Sequence, residues 1–212
     1  SDTTKFTASV VTNFSSRGPS VGRIKPDVVA PGNVVHSMYS DGSTTTNNCG
    51  NVTPDNGNDA AVVSMSGTSM ATPITAGNVA LIRQYFVDGF YPSGSAVKND
   101  GFTPSGMLLK AAAIHSAKPL PKAVRGDDQL VDAGENDHGF GEITLANVLR
   151  SDASLYNLYV VNTATIGRSF DHTYETVANK DGKVRVTLAF YDPPSASAAE
   201  SFVNALSLSI DV

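Results

Sequence analysis

Helical periodicity stops at Arg150. Before it, apolar residues recur on one helical face in two segments; after it, they alternate as in strands. That split predicts an α/β unit over residues 1–150 and an all-β unit over residues 151–212, with a boundary near Ser151. The apolar fraction of 41% against 17% charged residues is enough to build a core. The net charge of −5 excludes binding to nucleic acid through bulk basicity.

In the first unit, residues 6–11 and 28–30 read as short strands, the second stopped by Pro31-Gly32. Residues 40–60 are almost wholly polar and predict an exposed loop. From Thr72 on, Ile74, Gly77, Asn78, Leu81, Ile82 and Tyr85 share one helical face, and Pro73 fits a first turn. A second helix is predicted over residues 105–117, with Ser105 as N-cap and Ala111-Ala112-Ala113 packing closely on a sheet. A short third helix is predicted over 143–149. Residues 155–161, 167–176, 183–191 and 202–212 read as strands, and Val184, Val186, Leu188 and Phe190 alternate as in a half-buried antiparallel strand. No run nears the ~20 apolar residues of a membrane span. Residues 1–5 have no signal-peptide features. The single cysteine, Cys49, excludes an internal disulfide framework and a cysteine-rich zinc site.

Chemistry concentrates at Ser66-Gly67-Thr68-Ser69-Met70-Ala71-Thr72-Pro73, where a helix begins at a serine behind a glycine. A helix N-terminus supplies positive potential and unpaired N–H groups. There a serine Oγ is exposed, and its own N–H can stabilise an oxyanion, which suits a nucleophile. The alternative is that Ser69 or Thr68 is an ordinary N-cap.

Gly67 to Pro73, G-T-S-M-A-T-P, resembles the nucleophile motif of the subtilases, the subtilisin-like serine proteases. Two further blocks resemble that family in the same order: Phe14-Ser15-Ser16-Arg17-Gly18-Pro19 and Lys25-Pro26-Asp27-Val28-Val29-Ala30-Pro31-Gly32. Gly139-Phe140-Gly141 and the β-patterned tail resemble the branch with a C-terminal β-barrel, such as the oxidation-resistant alkaline proteases. The resemblance implies the C-terminal part of a subtilisin-like parallel-sheet catalytic domain over residues 1–150. It implies the start of an antiparallel β-sandwich or jelly-roll domain over 151–212. It makes Ser69 the nucleophile of a serine endopeptidase, with its N–H as one oxyanion donor. Met65, Ser66, Gly67, Thr68 and Met70 then contact the substrate polypeptide, and Met70 is exposed to oxidation beside the reacting centre. It also implies an extracellular or secretory location.

The family places its Asp and His before the Ser. Only 68 residues precede Ser69, and they hold neither block, nor the Asn that gives the second oxyanion donor. The expectation is therefore a C-terminal piece of a protease, inactive alone, whose partner is the missing N-terminal half of the catalytic domain. It is expected to associate with that half or with its own copies through uncovered strand edges. His36, His115, His138 and His172 lie in no recognisable motif and read as surface or satisfied histidines, His138 within a polar loop. A non-catalytic pseudoprotease or interaction module is the alternative from another class. An α/β-hydrolase needs G-x-S-x-G, and Ala71 replaces its second glycine.

The chemistry needs no cofactor. Asp127-Asp128, Glu135-Asn136-Asp137 and residues 55–59 are oxygen-rich enough for calcium. None has EF-hand spacing, and each reads as a solvated loop. In the barrel-bearing branch a segment such as V-N-D-L-D-L is expected near Tyr191-Asp192-Pro193 and Val203-Asn204; here Ala205 and Ser207 replace the two Asp. The resemblance thus carries no calcium site there. Cys49 is expected to pair with a cysteine upstream. Asn51-Val52-Thr53 is a glycosylation-type sequon, and Asn13-Phe14-Ser15 matches too but overlaps a motif expected to be partly buried.

Overall fold

A computed structural model of the chain describes residues 10–39, 42, 43, 45, 62–150, 157–165, 167, 171–175, 184–196 and 202–210. Its strands are β1 (Val10–Val11), β2 (Val35–Met38), β3 (Val62–Met65), β4 (Lys122–Arg125) and β5 (Gln129–Asp132). Its helices are α1 (Thr68–Val87), α2 (Gly106–Ser116) and the single turn α3 (Glu135–His138). The result is a mixed α/β arrangement with two small sheets. In the first, β1 runs parallel to β4, and β4 is antiparallel to β5. In the second, β2 and β3 pair antiparallel, with Val35 opposite Met65. The predicted strand at Val28-Val29-Ala30 shrinks to one parallel bridge, Val29 to Glu142. The turn at Pro31-Gly32 leaves it no room for a ladder.

Helix α1 starts at Thr68, one residue before the serine at which the motif places its start and four before the apolar pattern counted from Thr72. Pro73 is therefore an interior residue, the sixth of the helix. Its missing N–H leaves the Ser69 carbonyl without its usual partner four residues on. Ile82, Tyr85 and Phe86 are buried against Ala112 and Ala113 of α2, with Ile143 and Val148 completing the cluster. Phe86 meets Tyr85, Tyr91 and Phe102 ring to ring. The small Ala112 and Ala113 let the helix backbones approach, the role predicted for the alanine run but against a helix. Leu81, expected on the buried face, is 50% exposed, and Gly77 is exposed. The apolar surface of α1 is wider than the side α2 covers. Ser105 caps α2 as predicted, accepting from Leu108 N at 3.1 Å. The expected third helix is a short 3₁₀ turn, Leu145–Asn147.

A second cluster, Val11, Leu120 and Ala123 with Val29, Val131 and Ala133, lies on the first sheet. Gly139 and Gly141 stitch the two halves together. Gly141 accepts from Val29 N at 2.9 Å, and Phe140 N donates to Asp27 O at 3.0 Å. Gly139 has φ 61°, and a Cβ there would collide with the Pro26 carbonyl. The left-handed backbone alone costs about 1–3 kcal/mol for another residue. Gly139→Ala is therefore expected to lower the unfolding free energy by at least that amount, seen as a lower urea midpoint, and an unchanged midpoint would contradict the packing described.

The predicted strands of the tail form no ladder among the described residues. The alternation at Val184, Val186, Leu188 and Phe190 is present, but those four side chains stay 39–45% exposed. Among the described residues no second strand layer covers them; Val186 and Leu188 only line a cavity with Ile114, Pro119 and Phe140. The polar positions between them make the attachment instead. Arg185 donates to the carbonyls of His115 and Ala117 at the end of α2, at 2.7 and 3.2 Å. Thr187 Oγ1 lies 2.9 Å from His115 Nδ1. Leu158 and Val160 pack on the first cluster, and Asn162 accepts from Ser105 N at 3.1 Å. Among the described residues, no helix is long and apolar enough to cross a membrane.

Candidate active site

Helix α1 has Gly67 at its N-cap, with no side chain capping it. Neither Thr68 nor Ser69 is a cap, so the ordinary-cap reading does not apply. Ser69 is the second residue of the helix and is exposed. No described residue hydrogen-bonds its side chain, and no described acceptor takes its backbone N–H. The first turn holds no acidic residue, so the positive end of this 20-residue helix is uncompensated. A hydroxyl and a free donor together at that point are what acylation of a carbonyl needs.

The approach to Ser69 is fixed by the turn after residues 25–30. Gly67 N donates to Gly32 O at 2.8 Å. Ser66 Oγ donates to Asn33 Oδ1 at 2.9 Å and accepts from Val34 N at 2.8 Å. A Cβ on Gly32 would lie 2.9 Å from Gly67 O and 3.3 Å from the Ala71 Cβ, so only glycine allows this approach. Met65 is 51% exposed at the end of β3, and Thr68 is exposed beside Ser69. Met70 is half-buried, its N bonded to Gly67 O at 3.1 Å. Met65, Ser66, Gly67, Thr68 and Met70 therefore run continuously along one end of α1. Asn33 and Val34 were not legible as part of this arrangement; their only sequence signal is their place behind Pro31-Gly32.

No described histidine hydrogen-bonds Ser69. His36 is exposed on β2, opposite Ser64. His115, half-buried at the end of α2, has its pKa lowered by burial and then by the Arg185 charge. His172 stacks on Tyr174. His138 is not in a solvated loop: it is buried in α3, and its Nδ1 donates to Gly139 O at 2.9 Å.

Asp137 is also a correction. Its cluster reads as solvated, yet its side chain is fully buried. It accepts from Arg17 Nε at 2.7 Å, from an Arg125 terminal nitrogen at 2.7 and 2.8 Å, and from Gly134 N at 2.8 Å. Arg17 also donates to Thr12 O and Val124 O. The Arg17 of the F-S-S-R-G-P block thus binds that block to β4 and α3. Burial pushes the Asp137 carboxyl up, but the Gly134 N–H and the two guanidiniums outweigh it and hold the pKa below the ordinary value. Asp27 behaves alike: burial raises it, while Lys25 and Lys110 bring it below the ordinary value.

Asp128 accepts from the amide of Asn13, which is exposed, while the block that follows it is partly buried, with Ser15, Arg17 and Gly18 half-buried. Asp192 accepts from Val203 N, Asn204 N and Asn204 Nδ2 at 2.8–3.1 Å. Among the described residues, no group of three His, Cys, Asp or Glu side chains could hold a metal. The loop of residues 40–60 lies mostly outside the described residues; Cys49, Asn51 and Asp55 to Asp59 lie wholly outside them.

Comparison with known proteins agrees with the motif. The subtilase family model matches residues 2–142. The serine protease/ABC transporter B family protein tagD of Dictyostelium discoideum is 48% identical over 111 residues, covering 52% of this chain and 6% of that protein. The tagA protein of the same name and organism is 30% identical over 218 residues, covering 99% of this chain and 12% of that protein. Serine protease AprX of Bacillus subtilis is 34% identical over 138 residues, covering 65% of this chain and 25% of that protein. The chain thus spans a quarter or less of the length of each of these relatives.

Proposed function

The chain belongs to the subtilase family, and from that membership we propose that it carries the nucleophile of a serine endopeptidase. Ser69 attacks the scissile carbonyl and forms an acyl-enzyme. Its backbone N–H is one of the two donors to the oxyanion. Met65, Ser66 and Gly67 border the leaving-group side of the cleft, with Thr68 and Met70 beside the nucleophile. The substrate is a polypeptide, held extended along the cleft. The observation that carries this reading is an exposed Ser69 hydroxyl at the second position of α1, with the residues before it pinned to the 32–34 turn.

A longer polypeptide supplies the rest: a carboxylate, an imidazole and a second oxyanion donor from an N-terminal half of the catalytic domain. The exposed Leu81 side of α1 supports this, since an apolar helix face needs a partner layer. Residues 1–150 are then the C-terminal portion of that domain. Residues 151–212 begin a β-sandwich of the barrel-bearing branch, whose remaining strands would cover Val184, Val186, Leu188 and Phe190. No cofactor is needed, and the setting is extracellular or within the secretory pathway. The 212 residues alone are inactive.

The second reading, a pseudoprotease or interaction module, is favoured by one observation: no described imidazole reaches Ser69. A fluorophosphonate probe separates the two. We expect Ser69 to be labelled in the longer protein and not in the 212-residue chain. Absence of label from the longer protein favours the second reading. Strong label on the short chain would show that the base is already within it.

A further inference from the structure

We propose that Asn33 is a positioning residue for the nucleophile, acting through the Ser66 hydroxyl; this rests on the serine protease reading of Ser69. Ser66 Oγ has one proton to give and gives it to Asn33 Oδ1 at 2.9 Å. One of its two lone pairs accepts from Val34 N at 2.8 Å. With the donor direction fixed by Asn33 and the acceptor direction by Val34, the Ser66 side chain has one orientation. The next residue is held by its own bond, Gly67 N to Gly32 O at 2.8 Å. Ser69 follows two residues later, inside the first turn of α1.

Three features make this more than a surface contact. Asn33 is exposed, so burial does not account for its placement. It is the only side chain among the described residues that holds Ser66. Val34, a β-branched residue, sits at φ 53°, a left-handed conformation that such residues rarely adopt. That strain aims the Val34 N–H at Ser66, and strained backbone of this kind persists only where the surroundings over-determine it. The clamp then continues into the β2–β3 ladder, whose first pair is Val35 with Met65. The turn and the nucleophile segment are thus one rigid unit. Asn33 makes no hydrogen bond to Ser69, so its loss acts through the orientation of Ser66 and of the segment that leads from it to the nucleophile.

The test uses the longer protein with its own base. Wild type, Asn33→Leu and Asn33→Asp are compared for the rate of Ser69 labelling by a fluorophosphonate, for kcat and KM on a peptide, and for thermal midpoint. Leucine removes the acceptor; aspartate keeps it. Asn33→Leu is expected to slow labelling and lower kcat by about tenfold or more, with a smaller change in KM and the midpoint unchanged. Asn33→Asp is expected to restore both to within about threefold, since the acceptor oxygen is retained. Wild-type rates in Asn33→Leu, losses that only follow unfolding, or no rescue by aspartate would overturn the inference. A wild type that takes no label instead refutes the protease reading and the inference with it.

Discussion

Ser69→Ala in the longer protein is expected to lower kcat on a peptide by about a millionfold, with KM little changed. Without the hydroxyl no acyl-enzyme forms. What remains is oxyanion stabilisation and binding, worth about 10³–10⁴ over water. The substitution is a clean test because Ser69 is exposed and makes no side-chain hydrogen bond to any described residue. Stability should change by less than about 0.5 kcal/mol, so lost activity cannot be assigned to unfolding. Active-site titration and denaturation on the same preparation check both statements. A loss below about tenfold would remove Ser69 from the chemistry.

Asp137→Ala should have the largest effect on stability. It takes the fully buried anion away from two guanidiniums and one backbone N–H. Removing one partner of a buried ion pair costs about 3–5 kcal/mol. Arg125 is half exposed and can recover hydration, so the low end of that range applies. Such a loss is a large share of the stability of an ordinary domain. Because the folded pKa of Asp137 lies below its unfolded value, the unfolded chain binds the proton more tightly. The contribution is therefore fully present above the ordinary aspartate range and is lost as pH falls through the folded pKa. Urea midpoints in acid should drop for wild type and be flatter for the alanine variant. Parallel curves for the two proteins would contradict this.

The motif at Ser69 and the capped helix behind Ser105 were legible because each is local: a few adjacent residues determine them. Helix α1 was legible in kind but not in extent. Pro73 pointed to a first turn, yet it is the sixth residue of a helix that begins at Thr68. The burial of Asp137 was not legible, because its partners Arg17 and Arg125 lie far away in the chain or on another element. A buried acid and a solvated one look alike until the cations that neutralise it are placed. The same holds for Asn33, whose role depends on a serine 33 residues further on. In the tail the alternation was read correctly as a pattern, but alternation fixes two faces, not the partner that makes a strand of them.

The Arg17–Asp137 contact joins residues 120 positions apart, and β1 finds its parallel neighbour only in β4. Loop closure over such spans must precede any reward from the contacts, which slows the search for the native state. During synthesis, the block containing Arg17 would leave the ribosome with its counter-ion still untranslated. Early segments must therefore wait, with apolar side chains bare, until more than half of these residues have emerged. Ordering of β1 and of the Arg17 block accordingly comes late in biogenesis, after β4 and α3 have been made.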